Sequence, residues 1–301
     1  MGEVTILMAC YNGAAFLPRQ LESIAGQRDV EWRLLAGDDG SADDTLAVLK
    51  RFAAHWPGRV TVVAGPQAGA SVHFLALVAL AGPGALAFAD QDDVWLPGKL
   101  ADALAALAHC GSVPALFVSR GALWWGGNKQ TAMAVPQVTV GLGHALVQNI
   151  GPGHAMVVNA SAADLLKRGV SRGAAPYWHD WWAYQMIAAA GGRILLGQEV
   201  QVLYRQHGGN LIGRKQGTDA TRNRLNRAAS GEARREMVAQ LAALQLARGE
   251  MTDGARDMLD GFASAAPKGL RRAMDFWRLG LRRQGALGRA SVVLAAWMGA
   301  L

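Results

Sequence analysis

The sequence predicts an α/β domain, a mostly parallel sheet with helices on both faces, followed by a C-terminal helical extension. Three observations carry this. Short apolar runs alternate with amphipathic stretches through the first hundred residues, the pattern of consecutive β-α units. Polar clusters stand where the apolar runs end, at Tyr11-Asn12, Asp38-Asp39 and Asp90 to Asp93. Residues 1–214 hold 15 Lys+Arg and 15 Asp+Glu, whereas residues 215–301 hold 15 basic and 8 acidic residues, so the whole net charge of +7 lies in the last part. The division expected is therefore 1–214 for the α/β domain and 215–301 for a basic helical extension.

Taken in order, Val4 to Ala9 reads as a strand ending in the turn signal Tyr11-Asn12-Gly13. Ala14 to Ala25 has helical spacing, with Phe16, Leu17, Leu21 and Ile24 on one side. Trp32 to Ala36 is a second strand. Ser41 is expected to cap the helix Thr45–Trp56, with Asp44 as the capping-box acid. Val60–Ala64 and Ala85–Ala89 are strands, with a helix at Val72–Ala81 between them. A further helix opens at Leu96-Pro97 and runs to about His109. Beyond this, Val113–Ser119 and Ala155–Val158 read as strands, Gly121–Gly143 as loop-rich, and Ser161–Lys167 as a short helix. Trp181–Ala190 reads as a helix, and Arg193–Leu196 and Val200–Tyr204 as two strands. After Gly213 the pattern is helical.

Apolar residues make up 51% and charged residues 18%, which supports a sizeable core and excludes a disordered chain. Cys10 and Cys110 sit in apolar contexts without metal-ligand spacing and read as reduced core thiols. No signal peptide and no apolar run of the roughly 18–20 residues needed to span a membrane is seen. Asn159-Ala-Ser161 matches a glycosylation sequon by chance.

Asp90-Gln91-Asp92-Asp93 is the strongest local motif. Three carboxylates in four residues repel one another unless a cation neutralises them. Mg²⁺ and similar hard cations bridge such carboxylates to substrate phosphates. In open α/β sheets the ligand crevice lies at the carboxyl ends of the strands, where all three polar clusters fall. Asp38-Asp39 can accept a hydrogen bond from a nucleobase or ribose, or serve only as a turn. Tyr177-Trp178-His179-Asp180-Trp181-Trp182 sets one acid among aromatic rings, whose desolvation raises a carboxylate toward general-base strength. The same acid could instead be a helix cap. His207 could be a metal ligand and Arg205 a phosphate contact, although either alone reads equally as surface or core. Asn149 to His154 is a glycine turn that either shapes an acceptor pocket or is purely structural.

Together these segments resemble the family 2 glycosyltransferases of GT-A fold, in particular their rhamnosyltransferase-like branch. The matching segments are MACYNG at 8–13, GDDGSADDT at 37–45, ADQDDVWLPGKL at 89–100, HDWW at 179–182 and YRQHGGNLIG at 204–213. The resemblance implies transfer of a sugar from a nucleoside-diphosphate donor, dTDP-rhamnose or a UDP-sugar, to a hydroxyl of a glycan or lipid-linked acceptor. It implies that Ala9, Tyr11, Asp38, Asp39, Asp90, Gln91 and Arg205 bind the nucleotide-sugar. Asp90, Asp92 and His207 would hold Mg²⁺ or Mn²⁺, and Asp180 would be the base of an inverting displacement. Trp95, His154, His179, Trp181 and Trp182 are the acceptor-pocket candidates. Residues 150–154 depart from the family pattern, reading Gly-Pro-Gly-His at 151–154 where similar sequences often have Ser-Gly-Cys-Thr.

In the tail, Leu270, Met274, Trp277 and Leu281 recur at helical spacing beside Lys268, Arg271, Arg272, Arg278, Arg282, Arg283 and Arg289. A basic amphipathic helix bearing Trp reads as interfacial on anionic lipid, or else as packed on the catalytic domain. The expected location is the cytoplasm, peripheral on the inner face of the cell membrane, with no nucleic-acid partner. Two other classes compete: a metal-dependent nucleotidyltransferase or phosphohydrolase, and a catalytically inactive nucleotide-sugar-binding partner. The first lacks a Gly-rich phosphate loop here, and the second is expected to have lost the D-x-D or the base.

Overall fold

A computed structural model describes residues 2–208, 232–285 and 287–299. The first half builds parallel strands β1 (Glu3–Cys10), β2 (Glu31–Asp38), β3 (Val60–Ala64) and β4 (Ala85–Ala89) in the spatial order β3-β2-β1-β4. Helices α1 (Leu17–Ala25), α2 (Thr45–His55) and α3 (Ala70–Leu80) make the crossovers. The chain continues through β5 (Val94–Trp95), α4 (Lys99–Ala108), β6 (Ala115–Trp124), β7 (Gln130–Ala132), α5 (Leu142–Ala145), β8 (Met156–Val158), α6 (Ala160–Ser171), α7 (His179–Ala189) and β9 (Arg193–Arg205). Strand β8 is antiparallel to both β4 and β6, β9 is parallel to β6, and β5 is antiparallel to β9. The sheet is therefore mixed beyond β4, and the crevice lies where its direction changes, as such folds place their ligands.

Alternation along β1 explains the two covered faces. Val4, Ile6, Met8 and Cys10 pack with Leu17, Leu21, Leu49 and Leu100, from α1, α2 and α4. Leu7 faces the other side, with Phe74 of α3, Leu166 of α6 and Trp182 of α7.

Three local expectations are corrected. Ser41 does not cap α2; its hydroxyl accepts from the Asn12 amide, while Asp43 accepts from the Thr45 amide. The two strands expected at 193–196 and 200–204 are one strand, β9, held continuous by pairing along β6 across a bulge between Val118 and Gly121. The loop-rich stretch after Gly121 begins as strand, since β6 runs to Trp124 and β7 pairs with it. Asn159 is the cap of α6, accepting from Ala162 and Ala115.

The C-terminal helices are α8 (Glu232–Leu246), α9 (Asp253–Ser264), α10 (Gly269–Arg278) and α11 (Gly288–Met298). Leu244, Leu259, Phe262, Phe276, Val292 and Ala296 belong to the same buried cluster as Trp182 and Tyr184 of α7, so the tail's inner side is part of the main core. The expected stripe divides. Leu281 is fully buried, whereas Leu270, Met274 and Trp277 are 70%, 45% and 52% exposed, because Ala273 and Phe276 make the inward contacts instead. Arg272 donates to the carbonyls of Ala265 and Ala266, and the Arg282 amide donates to Gly143, so these two help fasten the tail. Among the described residues no helix is long and apolar enough to cross a membrane. The expected boundary at 214/215 and Gly209 to Gly213 of the last motif lie outside the described residues.

Candidate active site

The ends of β1, β2 and β4 bring the expected nucleotide-binding residues together. Ala9 pairs with Gly37 near the end of β1, followed by an exposed Tyr11. The Gln91 side chain accepts from the Tyr11 amide and donates to the Tyr11 carbonyl, both at 2.9 Å. This two-point clamp fixes the β1 turn, and a Cβ on Gly13 would collide with the same carboxamide. Gln91 is thus committed to backbone in this arrangement. Asp38 is buried and accepts from the Ser41 amide, with its Oδ1 lacking a partner. Asp39 accepts from the Gln67 amide at 2.7 Å and lies 3.6 Å from His73 Nδ1.

His73 was not singled out in the sequence. It sits against Gly37 and Gly65, where any Cβ would strike its ring. Burial holds it below the usual imidazole range despite the neighbouring Asp39. It therefore backs Asp39 as a neutral ring. Only the two glycines hint at it, and they stand far from it in sequence.

The acidic motif resolves into a trio and a pair. His154 Nδ1 lies 3.0 Å from Asp90 Oδ2 and 2.7 Å from Asp93 Oδ2. Burial works against its charge, but the carboxylates of Asp93 and Asp90 outweigh it and push the imidazole up to about 10. Burial also raises Asp93, to about 6, while Asp90 is lowered because His154 outweighs its burial. Asp90, Asp93 and His154 place ligand atoms within 4.8 Å of one another, so they could hold a metal ion. Without an ion, the imidazole nitrogen lies against both carboxylates and bridges them. The second pair is Asp92 with His207, at 2.7 Å and each about one-fifth exposed. His207 stacks on Phe16. Asp92 and His207 could likewise offer a carboxylate oxygen and an imidazole nitrogen to a metal ion.

Arg205 donates through Nε to the Asp92 carbonyl, and its amide donates to Asp93 Oδ1. Its guanidinium lies over Trp124 and Phe16, so one residue of β9 fixes the acidic turn. Behind this, Lys99 is fully buried over the Trp95 ring, and burial pulls its ammonium down to about 7 against the opposing pull of Asp93.

Asp180 stands in the first turn of α7, where a negative charge is favoured by the helix dipole. Its carboxylate accepts from the Trp181 amide at 2.6 Å and from the Gly153 amide. Burial nevertheless raises its pKa above the ordinary carboxylate range. Gly153 is needed there, since a Cβ would come within 2.9 Å of His179 Nε2 and 3.4 Å of Asp180 Cβ. Residues 151–154 therefore touch both the base candidate and the acidic motif.

Of the acceptor-pocket candidates, Trp95 and Trp182 are corrected to core residues, 2% and 1% exposed. Trp182 fills the space that Gly169 leaves free in α6, and Trp95 carries Lys99. His179 is stacked on Phe74 and kept neutral by burial, so it packs beside the crevice. Trp181 is half-buried and donates to the Ala145 carbonyl.

The arrangement, carboxylates at the ends of β2 and β4 with a further carboxylate on α7, is compatible with the expected glycosyltransferase site. Residues 5–141 match the glycosyl transferase family 2 profile. The chain is 26% identical over 219 residues to the dTDP-rhamnosyl transferase RfbG of Shigella flexneri, covering 68% of this chain and 73% of that one. It is 30% identical over 98 residues to a UDP-Glc:alpha-D-GlcNAc-diphosphoundecaprenol beta-1,3-glucosyltransferase, WfgD, of Escherichia coli. That match spans 32% of this chain and 38% of WfgD. Its fold matches residues 1–349 of S. aureus TarS in complex with UDP-GlcNAc, with a TM-score of 0.53 at 15% identity and 93% of each chain covered. Residues 5–141 therefore carry the family 2 glycosyltransferase match, and the chain is similar in sequence to a rhamnosyltransferase.

Proposed function

We propose that this enzyme transfers a sugar, rhamnose from dTDP-rhamnose as first choice and a UDP-hexose as second, to a hydroxyl of a glycan or lipid-linked acceptor. The observation that carries the reading is that the 151–154 turn ties Asp180 to the acidic motif, so base and leaving-group ends of one displacement share a crevice. Asp38, Asp39 and the backbone at Ala9 and Tyr11 hold the nucleoside. Asp92 and His207 hold Mg²⁺ or Mn²⁺, which when bound neutralises charge on the departing diphosphate. Asp180 removes the acceptor hydroxyl proton as that oxygen attacks the anomeric carbon. One base on one face supports a single displacement with inversion. Residues 1–214 act as the catalytic unit. The exposed apolar and arginine surface of the 215–301 extension docks it peripherally on an anionic membrane, at the cytoplasmic face where lipid-linked acceptors are presented.

The test is transfer by the purified chain from a panel of nucleotide sugars, with and without Mn²⁺, the anomeric configuration of the product being read by NMR. Metal-dependent transfer with inversion supports the reading. Release of inorganic phosphate or pyrophosphate without glycosidic product would favour a phosphohydrolase or nucleotidyltransferase, and binding without turnover an inactive partner.

A further inference from the structure

Helix α7 carries Asp180, and its start is not secured by a cap of its own. The first amides of a helix have no acceptor within it, and a capping side chain normally serves one of them. Trp178 stands at the cap position of α7 in extended conformation, φ −121° and ψ 113°, and its side chain makes no such bond. Asp180 itself accepts from the Trp181 amide.

What fixes this start comes from the C-terminal extension. Gln240 of α8 is fully buried and grips the Trp178 backbone at both ends. Its carboxamide oxygen accepts from the Trp178 amide at 2.9 Å, and its nitrogen donates to the Trp178 carbonyl at 3.2 Å. One turn earlier on α8, Glu236, 5% exposed, accepts from the Trp178 indole at 3.3 Å. Residues at i and i+4 share a helix face, so α8 turns a buried polar pair onto the residue from which α7 begins. Burying such groups costs free energy unless they are hydrogen-bonded, and here their bonds go to Trp178. The grip also reaches further along α7. Gln240 donates to Gln185 Oε1 at 3.3 Å, and Gln185 donates to the Ala145 carbonyl at 3.2 Å. That carbonyl also receives the Trp181 indole at 2.7 Å. Asp180 therefore lies between two anchors, Trp178 held by α8 and Trp181 held by α5, which Gln240 and Gln185 join.

Resting on the glycosyl-transfer reading above, we propose that Gln240 is a positioning residue for the base, setting the start of α7 so that the Asp180 carboxylate meets the acceptor hydroxyl. The reacting groups remain those of residues 1–214, and the extension aims one of them. A misplacement of about 1 Å costs roughly 10²-fold in rate, so a clamp two residues from Asp180 is close enough to matter.

Gln240→Met in the full chain keeps the length and bulk of the side chain and removes its three hydrogen bonds. Its kcat for sugar transfer is expected to fall about 10- to 100-fold. KM for the nucleotide-sugar should stay near wild type, because the nucleoside is held at the ends of β1 and β2. In an Asp180→Asn background the same substitution should change kcat little, since residues that act as one unit are not additive. Leu259→Ala, in the core on α9, is the contrast: it should lower the melting temperature and leave kcat near wild type wherever it stays folded. If Gln240→Met does not fold, hydrogen exchange on wild type decides. The Trp178 amide is expected to be protected like the amides inside α7, and free exchange there overturns the clamp. A Gln240→Met enzyme with wild-type kcat, or with an equal loss in the Asp180→Asn background, overturns the positioning role and leaves glycosyl transfer standing. Full turnover by Asp180→Asn alone, or no transfer by wild type, would sink the underlying reading, and the proposal with it.

Discussion

At Asp180 the burial that suits a general base works against stability. Its carboxylate is raised chiefly by desolvation, only partly opposed by His179 and the two amide donors. A carboxyl group whose folded pKa is raised contributes stability that is complete below the unfolded value, near ~4, and lost as pH rises through the folded value. Asp180→Asn is therefore expected to melt above wild type at pH 7 and to lose that advantage near pH ~4, as read by calorimetry at both pH values. Its kcat is expected to fall by about 10²–10⁴ with donor affinity nearly unchanged. In wild type, kcat/KM should fall with decreasing pH along a limb set above the ordinary carboxylate range, and the Asn variant should lack that limb. A variant that melts below wild type at both pH values would show that the lost hydrogen bonds outweigh the relieved charge. Asp92 is a different case, because it pairs with His207 and not with His154. Asp92→Ala is expected to abolish transfer and to remove the Mn²⁺-dependent part of dTDP binding, measured by titration calorimetry with and without the ion. Retention of metal-dependent binding in that variant would move the ion to Asp90, Asp93 and His154.

The 151–154 turn is the element on which the site depends, and it was only partly readable in advance. As sequence, Gly-Pro-Gly-His is a rigid turn. Its meaning comes from contacts that no local pattern records: His154 reaches Asp90 across 64 positions, and Gly153 abuts His179 and Asp180. Gly153→Ala is expected to displace the base and lower kcat about 10²-fold, the scale for a misplacement near 1 Å, with donor affinity retained. His154→Ala would leave the buried Asp93 carboxylate beside the partly exposed Asp90 without their shared imidazole, and the expected destabilisation is measurable by denaturant unfolding. If its stability matched wild type, the trio would not be an internal ion cluster. Elsewhere, β1, β2, β3 and β4 were legible because each apolar run and the polar cluster after it are local signals. The unity of β9 was not, because the residues 197–199, which have no partner on β6, are bridged by the pairs Val118–Leu196 and Arg120–Val200 on either side. Trp95 and Trp182 were misplaced for a related reason: a tryptophan near an acid reads as a sugar platform until Lys99 and Gly169 are seen to receive it.

For the whole molecule, charge and apolar exposure occur together on the last two helices of the tail. Leu270, Met274 and Trp277 on α10 are exposed at i, i+4 and i+7. Leu294, Trp297 and Met298 on α11 are 54–56% exposed at i, i+3 and i+4. The two rows belong to a packed helix pair joined at Trp277, where the Arg289 guanidinium lies 3.8 Å from the ring centroid and donates to the Trp277 carbonyl. Arg271 and Arg278 are exposed nearby, whereas Arg283 is turned inward and partly desolvated. Exposed apolar rows rimmed by arginine match an interface of acyl chains and anionic headgroups. Each basic residue near such a surface contributes roughly 1 kcal/mol, an attraction screened by salt. Replacing Arg271, Arg278 and Arg289 with Gln is expected to release the protein from anionic liposomes at moderate salt while activity on a short soluble acceptor survives. Replacing Trp277 and Trp297 with Ala should weaken binding with less salt dependence, because apolar burial is lost rather than charge. Arg282 and Arg283 serve as the contrast: their substitution should lower the melting temperature more than the lipid affinity. Sedimentation with vesicles of graded anionic content reads all three. Wild-type protein that stays in the supernatant at low salt would mean that the two rows meet another protein surface, and the membrane reading of the tail would be abandoned.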